Sequence, residues 1–366
     1  GRVIQEERAG QFVISGGVLL ITDKSSDYRV GDILELRGKI KPIDQDDRYL
    51  KKERIGLVAV FPAIEVIGHK RSLIDSFRVK SLDFLKSSLS NPQLSIIAAM
   101  LLGEKGLIST QWQDKLSSTG TRHITAVSGL HVTIVAAIIS GLLSFLGKRK
   151  SLFFTLIGIF LFVTMTGLQP SAIRAGIMGA ILVIASFLGR MSVSYRSVVL
   201  AGAIILLFNP FLLRDDIGFQ LSFLAVIGII YLSPKIKLSF LPKVVRESVV
   251  ISFSAYIFTL PIIIYYFKEL SLVFPITNFL VVPVLYPIMI LGALFIFISF
   301  ISKSLALLAL FPLWLLLTYL TAIVDLFSRP GWSSIAVGPY MVAAIIFVIL
   351  FILFGNEVEC SDDKQF

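Results

Sequence analysis

The sequence predicts an α-helical polytopic membrane protein of about 8–10 transmembrane segments, preceded by a small N-terminal β-barrel domain of the OB type. Three observations predict it. Hydrophobic residues make up 55% of the 366 positions and charged residues only 16%, whereas soluble domains average about 45–50% and about 25%. After His123 the apolar runs approach the length of about 20 residues that spans a bilayer. Charge is also segregated: residues 1–92 hold 16 Lys+Arg and 13 Asp+Glu, half of all charged residues in a quarter of the chain. The net charge of +10 is the loop excess of Lys and Arg typical of membrane proteins, not a nucleic-acid footprint.

Residues 1–70 read as an extracytoplasmic β domain. The segments 11–22, 28–43 and 56–67 are rich in Val, Ile and Leu, partly alternate, and are separated by turn residues. The block 44–54 is a charged loop. Residues 71–122 read as an amphipathic helical linker at the membrane surface. Leu73, Phe77, Leu82, Phe84, Leu85 and Leu89 recur at helical spacing. Leu94–Leu102 is too short to span and belongs at the surface or against other helices. Residues 123–355 form the polytopic domain, with spans expected at 123–146, 151–168, 171–189, 197–213, 216–232, 247–267, 304–326 and 335–354. The stretch 272–301, interrupted by Pro275, Asn278, Pro283 and Pro287, is one kinked helix, two short ones or a re-entrant element. Residues 356–366 are a polar tail. Gly1 opens the chain with neither Met nor signal peptide, and the expectation is a piece of a longer protein.

Loop charge orients the spans. Lys148, Arg149, Lys150, Arg190, Arg196, Lys235, Lys237, Lys243 and Arg246 fall in one alternating set of loops. Arg214 and Lys268 fall in the other. The rich set is expected in the cytoplasm, which places residues 1–122 outside it.

Polar residues inside a bilayer are costly and mark either function or helix packing. In 123–135, Ser128 and His131 share a helix face, Gly129 admits close backbone approach, and His123 falls near the same face. The plainer reading is a small-residue packing helix with a hydrogen-bonded histidine. Arg174 sits within an apolar run among Ala175, Gly176 and Gly179, where it faces protein or water or snorkels to the interface. Asp215 and Asp216 open a helix whose dipole favours carboxylates, and Gln220 and Ser222 follow into the membrane. In 259–287 four prolines, Asn278, Lys268 and Glu269 break the apolar sequence, as where backbone lines a cavity or a helix kinks. Cys360 is the single cysteine, so an intrachain disulfide and a thiolate cluster are excluded. His69, His123 and His131 lack metal-ligand spacing, and there is no P-loop. No metal and no cofactor are expected.

At these clusters the sequence resembles the ComEC family of competence proteins. Gly120-Thr121-Arg122-His123 through Ala126, Ser128-Gly129 and His131 is similar to the family's GT-x-H-x-x-A-x-SG-x-H signature. Leu102-Gly103-Glu104 resembles its LLG element, and Arg174-Ala175 with Met178 its RA-x-x-M helix. Asn209-Pro210 followed by Asp216-Ile217-Gly218-Phe219-Gln220-Leu221-Ser222-Phe223 resembles NP…D-x-GFQLSF, and Asn278 with Pro283 the N-x-x-x-x-P region. The resemblance covers about 85–355 and implies a channel in the bacterial cytoplasmic membrane that passes single-stranded DNA during natural transformation. It assigns Ser128, Gly129, His131, His123, Arg174, Asp216, Gln220 and Asn278 to the DNA path. Implied partners are single-stranded DNA, membrane lipid, a cytoplasmic DNA translocase, an extracytoplasmic DNA receptor and further copies of the chain. The metal-binding histidines of the nuclease domain that many family members carry are absent from this sequence, so no enzymatic activity is expected.

Two other classes compete. In an intramembrane serine hydrolase Ser128 would be the nucleophile and His131 the base, but the sequence offers no orienting carboxylate. A secondary transporter of a small solute fits the broken helices, but no internal repeat supports it. In the β domain, Lys39, Lys41, Arg48, Lys51 and Lys52 with Tyr49 are groups suited to single-stranded DNA. Asp44, Asp46, Asp47 and Glu53 would neutralise them if the strands are merely structural.

Overall fold

The computed structural model describes residues 3–8, 11–14, 18–21, 32–42, 57–60, 62–69, 72–188, 195–236, 243–329, 331 and 333–336. Its N-terminal part is strands: β1 (Val3–Arg8), β2 (Gln11–Ile14), β3 (Val18–Ile21), β4 (Asp32–Arg37), β5 (Ile40–Pro42), β6 (Leu57–Val60) and β7 (Ala63–His69). They form a five-stranded sheet, β1-β2-β3-β6-β5, and a separate β4-β7 pair. All pairings are antiparallel except β3 with β6. The expected strands are therefore present, but those described close no barrel. Leu20, Leu34 and Ala59 form its small buried cluster.

Eleven helices follow among the described residues. The first three are α1 (Leu73–Ser88), α2 (Gln93–Leu102) and α3 (Thr110–Ser118). Then come α4 (Gly129–Leu142), α5 (Lys148–Met165), α6 (Pro170–Phe187) and α7 (Tyr195–Phe208). One helical turn at Leu212–Asp215 precedes α8 (Ile217–Leu232), α9 (Lys243–Phe267), α10 (Phe274–Ile301) and α11 (Lys303–Ser328). Among the described residues five stretches are long and apolar enough to cross a membrane: Pro170–Phe187, Ile217–Lys235, Val249–Phe267, Phe274–Ile301 and Lys303–Ser328. This is a multi-pass membrane protein, and the described residues hold five spans of sufficient length and composition against the eight to ten expected of the whole chain. Of the span expected at 335–354, Ile335 and Ala336 belong to a short strand, Ser334–Ala336, and 337–354 lies outside the described residues. The stretch 272–301 resolves into one 28-residue helix. Pro275 falls in its first turn, where a missing N–H costs nothing, while Pro283 and Pro287 lie inside it.

Two expectations need correction. The segment 123–146 is not one span. Residues 122–124 form a 3-10 turn, and helix starts only at Gly129. At 14 residues α4 is about 21 Å long, short of the roughly 30 Å hydrocarbon core. Nor is 71–122 simply a surface linker. Every residue from Leu94 to Leu102 is buried, and α2 packs against α10 and α11 at the centre of the main core. Sequence length alone marked α2 as unable to span. Its even coating of apolar residues, without a polar face, is what the centre of a helical cluster requires.

Small residues let these helices approach. The Gly292 position on α10 is filled against Ile97 and Leu101 of α2, and Gly179 on α6 against Val132 of α4. Around α1, Phe77 stacks on Phe300 with centroids 4.7 Å apart, and Phe84 meets the same ring edge-on at 5.1 Å. The lipid-compatible outside is visible in Leu308, Phe297 and Phe311, which are large, apolar and exposed. Truncating Ile97 or Met100 to Ala should cost about 2–5 kcal/mol, because the packed core cannot fill the void. Leu308→Ala should change stability by less than about 0.5 kcal/mol. Apparent melting temperatures of the detergent-solubilised protein would show the contrast, and equal shifts would remove α2 from the centre of the core.

Candidate functional site in the helical domain

Arg174 is carried on the first turns of α6, with Pro170 at the helix start. Its Nη1 donates to Asp216 Oδ2 at 2.9 Å, with the two side chains 6% and 1% exposed. Asp216 is also the N-cap of α8, accepting from the Phe219 N–H at 3.1 Å through Oδ1. One carboxylate thus satisfies a helix terminus and a buried guanidinium together. Gly218 makes room: a Cβ there would lie 2.8 Å from the Arg174 guanidinium. The pairing fastens α6 to α8 across 42 residues of chain. It rules out snorkelling, since the guanidinium is buried against a partner rather than led to an interface.

Ser128 and His131 meet at the start of α4. His131 Nδ1 accepts from the Ser128 N–H at 3.2 Å and lies 2.9 Å from Ser128 Oγ. This is a capping box with histidine in the place usually held by Glu or Gln. His131 is buried and its Nε2 has no partner. Gly129 is exposed with open space beside it. His123 is exposed, and its Nδ1 is 3.1 Å from the Gly120 carbonyl.

Gln220 and Asn278 turn to their own neighbourhoods. Gln220 Nε2 donates to the carbonyls of Leu213 and Arg214 at 2.9 and 3.1 Å, closing the helical turn before α8. Asn278 Nδ2 donates to the Phe274 carbonyl at 3.0 Å on α10. The structure therefore forms two tight pairs, Arg174–Asp216 and Ser128–His131, with α6 touching both α4 and α8. In the β domain Lys39 is exposed beside β5, which contains Lys41. Arg48, Tyr49, Lys51 and Lys52 lie outside the described residues.

Several polar contacts escaped the sequence reading. Arg78 of α1 pairs with Glu104 at 2.8 Å, both nearly buried. Beside them Gln169 Nε2 donates to the Gly103 carbonyl at 2.6 Å. Gly103 has φ +72°, and a Cβ would strike the Thr166 carbonyl. Arg78 falls four residues before Leu82 and seven before Leu85, on the apolar face of α1, a signal open to a stricter helical projection. The segment Ser118–Thr121 is a second hub. Its Ser118 and Thr119 carbonyls accept from Ser271 Oγ and Thr277 Oγ1, each at 2.7 Å. Beside it Lys115 pairs with Asp325, which also accepts from Arg329. Nothing in the sequence announces partners 158 residues apart.

Arg174→Ala should destabilise by about 3–5 kcal/mol, because Asp216 is left buried without its counter-charge. The double variant Arg174→Met with Asp216→Asn should recover a large part of that loss. Unfolding of the purified protein in detergent, run as a double-mutant cycle, measures the coupling. Additive losses would mean that the pair does not interact.

With the geometry in hand, comparison with known proteins gives a consistent result. The model of the Competence protein family matches residues 100–357. ComE operon protein 3 of Bacillus subtilis (strain 168) is 27% identical over 292 residues, which is 78% of this chain and 37% of that protein. An uncharacterized protein of Aquifex aeolicus (strain VF5) is 27% identical over 304 residues, covering 82% of this chain and 67% of that protein. The chain thus spans little more than a third of the Bacillus relative. No solved structure matches. The matched region contains both buried pairs and nine of the eleven helices in full, and the family that the motifs resemble is the family found. The chain belongs to the Competence protein family.

Proposed function

We propose that the helical domain forms the passage by which single-stranded DNA crosses the bacterial cytoplasmic membrane during natural transformation. One observation carries most of the reading: in a multi-pass chain of the Competence family, the family-like motifs form a buried ionic pair between two spanning helices and a histidine-capped helix start. In this reading Arg174–Asp216 fixes α6 against α8, and Ser128–His131 fixes the start of α4. These residues shape the path and need not touch the DNA. The β domain lies outside the cytoplasm, as the loop charges favour. A cytoplasmic DNA translocase and an extracytoplasmic DNA receptor complete the route, because the sequence offers no P-loop to drive transport. Further copies of the chain are compatible with it.

The chain acts in transport rather than catalysis. His131 Nδ1, the nitrogen nearest Ser128 Oγ, is shared with a backbone N–H, as a cap requires. A hydrolytic base would need a free acceptor held by an orienting group. No observation favours a small-solute transporter over DNA passage.

The reading is tested by complementing a competent bacterium whose own channel gene is deleted with the full-length parent gene. The wild type should restore transformation. Arg174→Ala and His131→Ala should leave surface DNA binding intact and lower internalisation by about tenfold or more, the scale of a lost interaction above 1.4 kcal/mol. Membrane levels are scored by immunoblot. A wild type that inserts normally yet restores nothing removes the DNA-passage reading.

A further inference from the structure

The two longest described helices meet at one turn. At 28 and 26 residues, α10 and α11 are roughly 42 and 39 Å long, more than the roughly 30 Å of a hydrocarbon core. Both cross the membrane, so their shared turn, Ile301–Lys303, stands at a membrane face among the lipid headgroups. The helix α1 lies across the same end. Phe77 and Phe84 both meet Phe300 in the last turn of α10. Lys80, Asp83 and Lys86 are exposed on α1, as on an amphipathic helix that lies in an interface.

Between α1 and the start of α11 is a cleft of about 170 Å³. Its polar lining is one cation, Lys303, and serine hydroxyls from both sides, and no carboxylate lines it. The Ser87 and Ser299 hydroxyls donate to carbonyls of their own helices, at 2.9 and 2.7 Å. Those of Ser88 and Ser304 have no partner among the described residues. Lys303 has no carboxylate partner there either, and its Nζ sits 5.9 Å from the Phe84 ring centroid. An ammonium and two unpaired hydroxyls around one space are a donor set for an anion.

The apolar lining says which anion. Leu307 of α11 borders the cleft. Residues four apart share a helix face, so Lys303, Leu307, Phe311 and Leu315 form one row. Leu307, Phe311 and Leu315 are 57%, 68% and 54% exposed. The row is charged at the membrane face and apolar for roughly 18 Å from there. An inorganic phosphate or a nucleic-acid backbone has nothing to lay along it. A phospholipid does, because its phosphate meets the donors while an acyl chain packs on the row. A zwitterionic headgroup would bring a second cation beside Lys303 with no carboxylate in the cleft to receive it, and like charges at close range repel.

We propose that this cleft binds an anionic phospholipid, with Lys303, Ser88 and Ser304 holding the headgroup phosphate and the row Leu307, Phe311 and Leu315 guiding one acyl chain. The lipid joins α1 to the turn between α10 and α11, and it stabilises the folded chain by mass action. This site does not rest on the DNA-passage reading.

The test is native mass spectrometry of the whole chain in detergent, titrated with phosphatidylglycerol or phosphatidylcholine of identical acyl chains. Phosphatidylglycerol should bind about tenfold or more tightly, the scale of one charge-assisted contact. Lys303→Gln should abolish the preference, and Ser88→Ala combined with Ser304→Ala should weaken it. Arg149→Gln, which removes an exposed cation from the start of α5, should leave it unchanged. Equal binding of the two lipids, or equal losses in Lys303→Gln and Arg149→Gln, would overturn the site. Two competitors identify the source of the phosphate. Glycerophosphoglycerol, the headgroup without chains, should fail to displace the lipid at equal concentration; if it succeeds, the cleft takes a free phosphate ester and the lipid assignment falls. A single-stranded oligonucleotide that displaces the lipid, and whose own binding drops in Lys303→Gln, would give the cleft to DNA and overturn the assignment as well.

Discussion

Inside a bilayer an unpaired backbone amide or carbonyl has no water to turn to, and the architecture of this protein can be followed from where that constraint is hardest to meet. Ser118–Thr121 is such a place. The chain leaves α3 there without helical hydrogen bonds ahead of it, and its carbonyls are met by hydroxyls from Ser271 and Thr277. Thr119 and Thr121 share a further bond between their own side chains at 2.8 Å. Short hydroxyl side chains suit this work because they add a donor with little bulk. Gly120 suits it because a left-handed backbone leaves space for Phe274. Through these bonds α3, the strand β8 (Glu269–Ser271) and the start of α10 become one unit, and α4 takes its starting point from it.

Ionic pairs perform the second level of assembly. Three ionic groups join elements far apart in sequence: Arg78–Glu104, Arg174–Asp216, and Asp325 with Lys115 and Arg329. Buried pairs of this kind contribute little net stability against an apolar replacement, yet breaking one by halves is costly. That asymmetry makes them registers more than glue. Arg174 can be buried only where Asp216 waits, and Asp216 stands there because it caps α8. A helix terminus thus sets the position of a neighbouring span.

The two pairs expected to line a path have a plainer geometry than catalysis would demand. Ser128 and His131 cap α4, and Gln220 closes a turn through backbone carbonyls. Such contacts fix backbone where helices begin and end. Family-like motifs in a membrane channel need not be contact residues; they can hold open a shape whose lining is made by others. In this chain Arg122, the unspecified position of the GT-x-H pattern, is exposed beside the buried Thr119, Thr121 and Ile124.

The sequence by itself determined the class: composition, segregated charge and apolar run lengths reflect the solvent of each segment, a local property that linear order preserves. It also located most helices between 148 and 328 to within about five residues, leaving the form of 272–301 open, and it singled out Arg174, Asp216, Ser128 and His131, because a polar residue in an apolar run is visible without a partner. The tertiary structure decided the partners. That Arg174 meets Asp216, that Thr277 meets Thr119, and that the short α2 is the centre of the core depend on chain segments up to 225 residues apart. Sequence periodicity carries no information about such distances. The structure also decided that α4 starts six residues after His123. Apolarity alone cannot distinguish a helix from buried irregular backbone, because both must exclude lipid-exposed polar groups, and only the contacts show which of them does so by internal hydrogen bonds and which by borrowing from its neighbours.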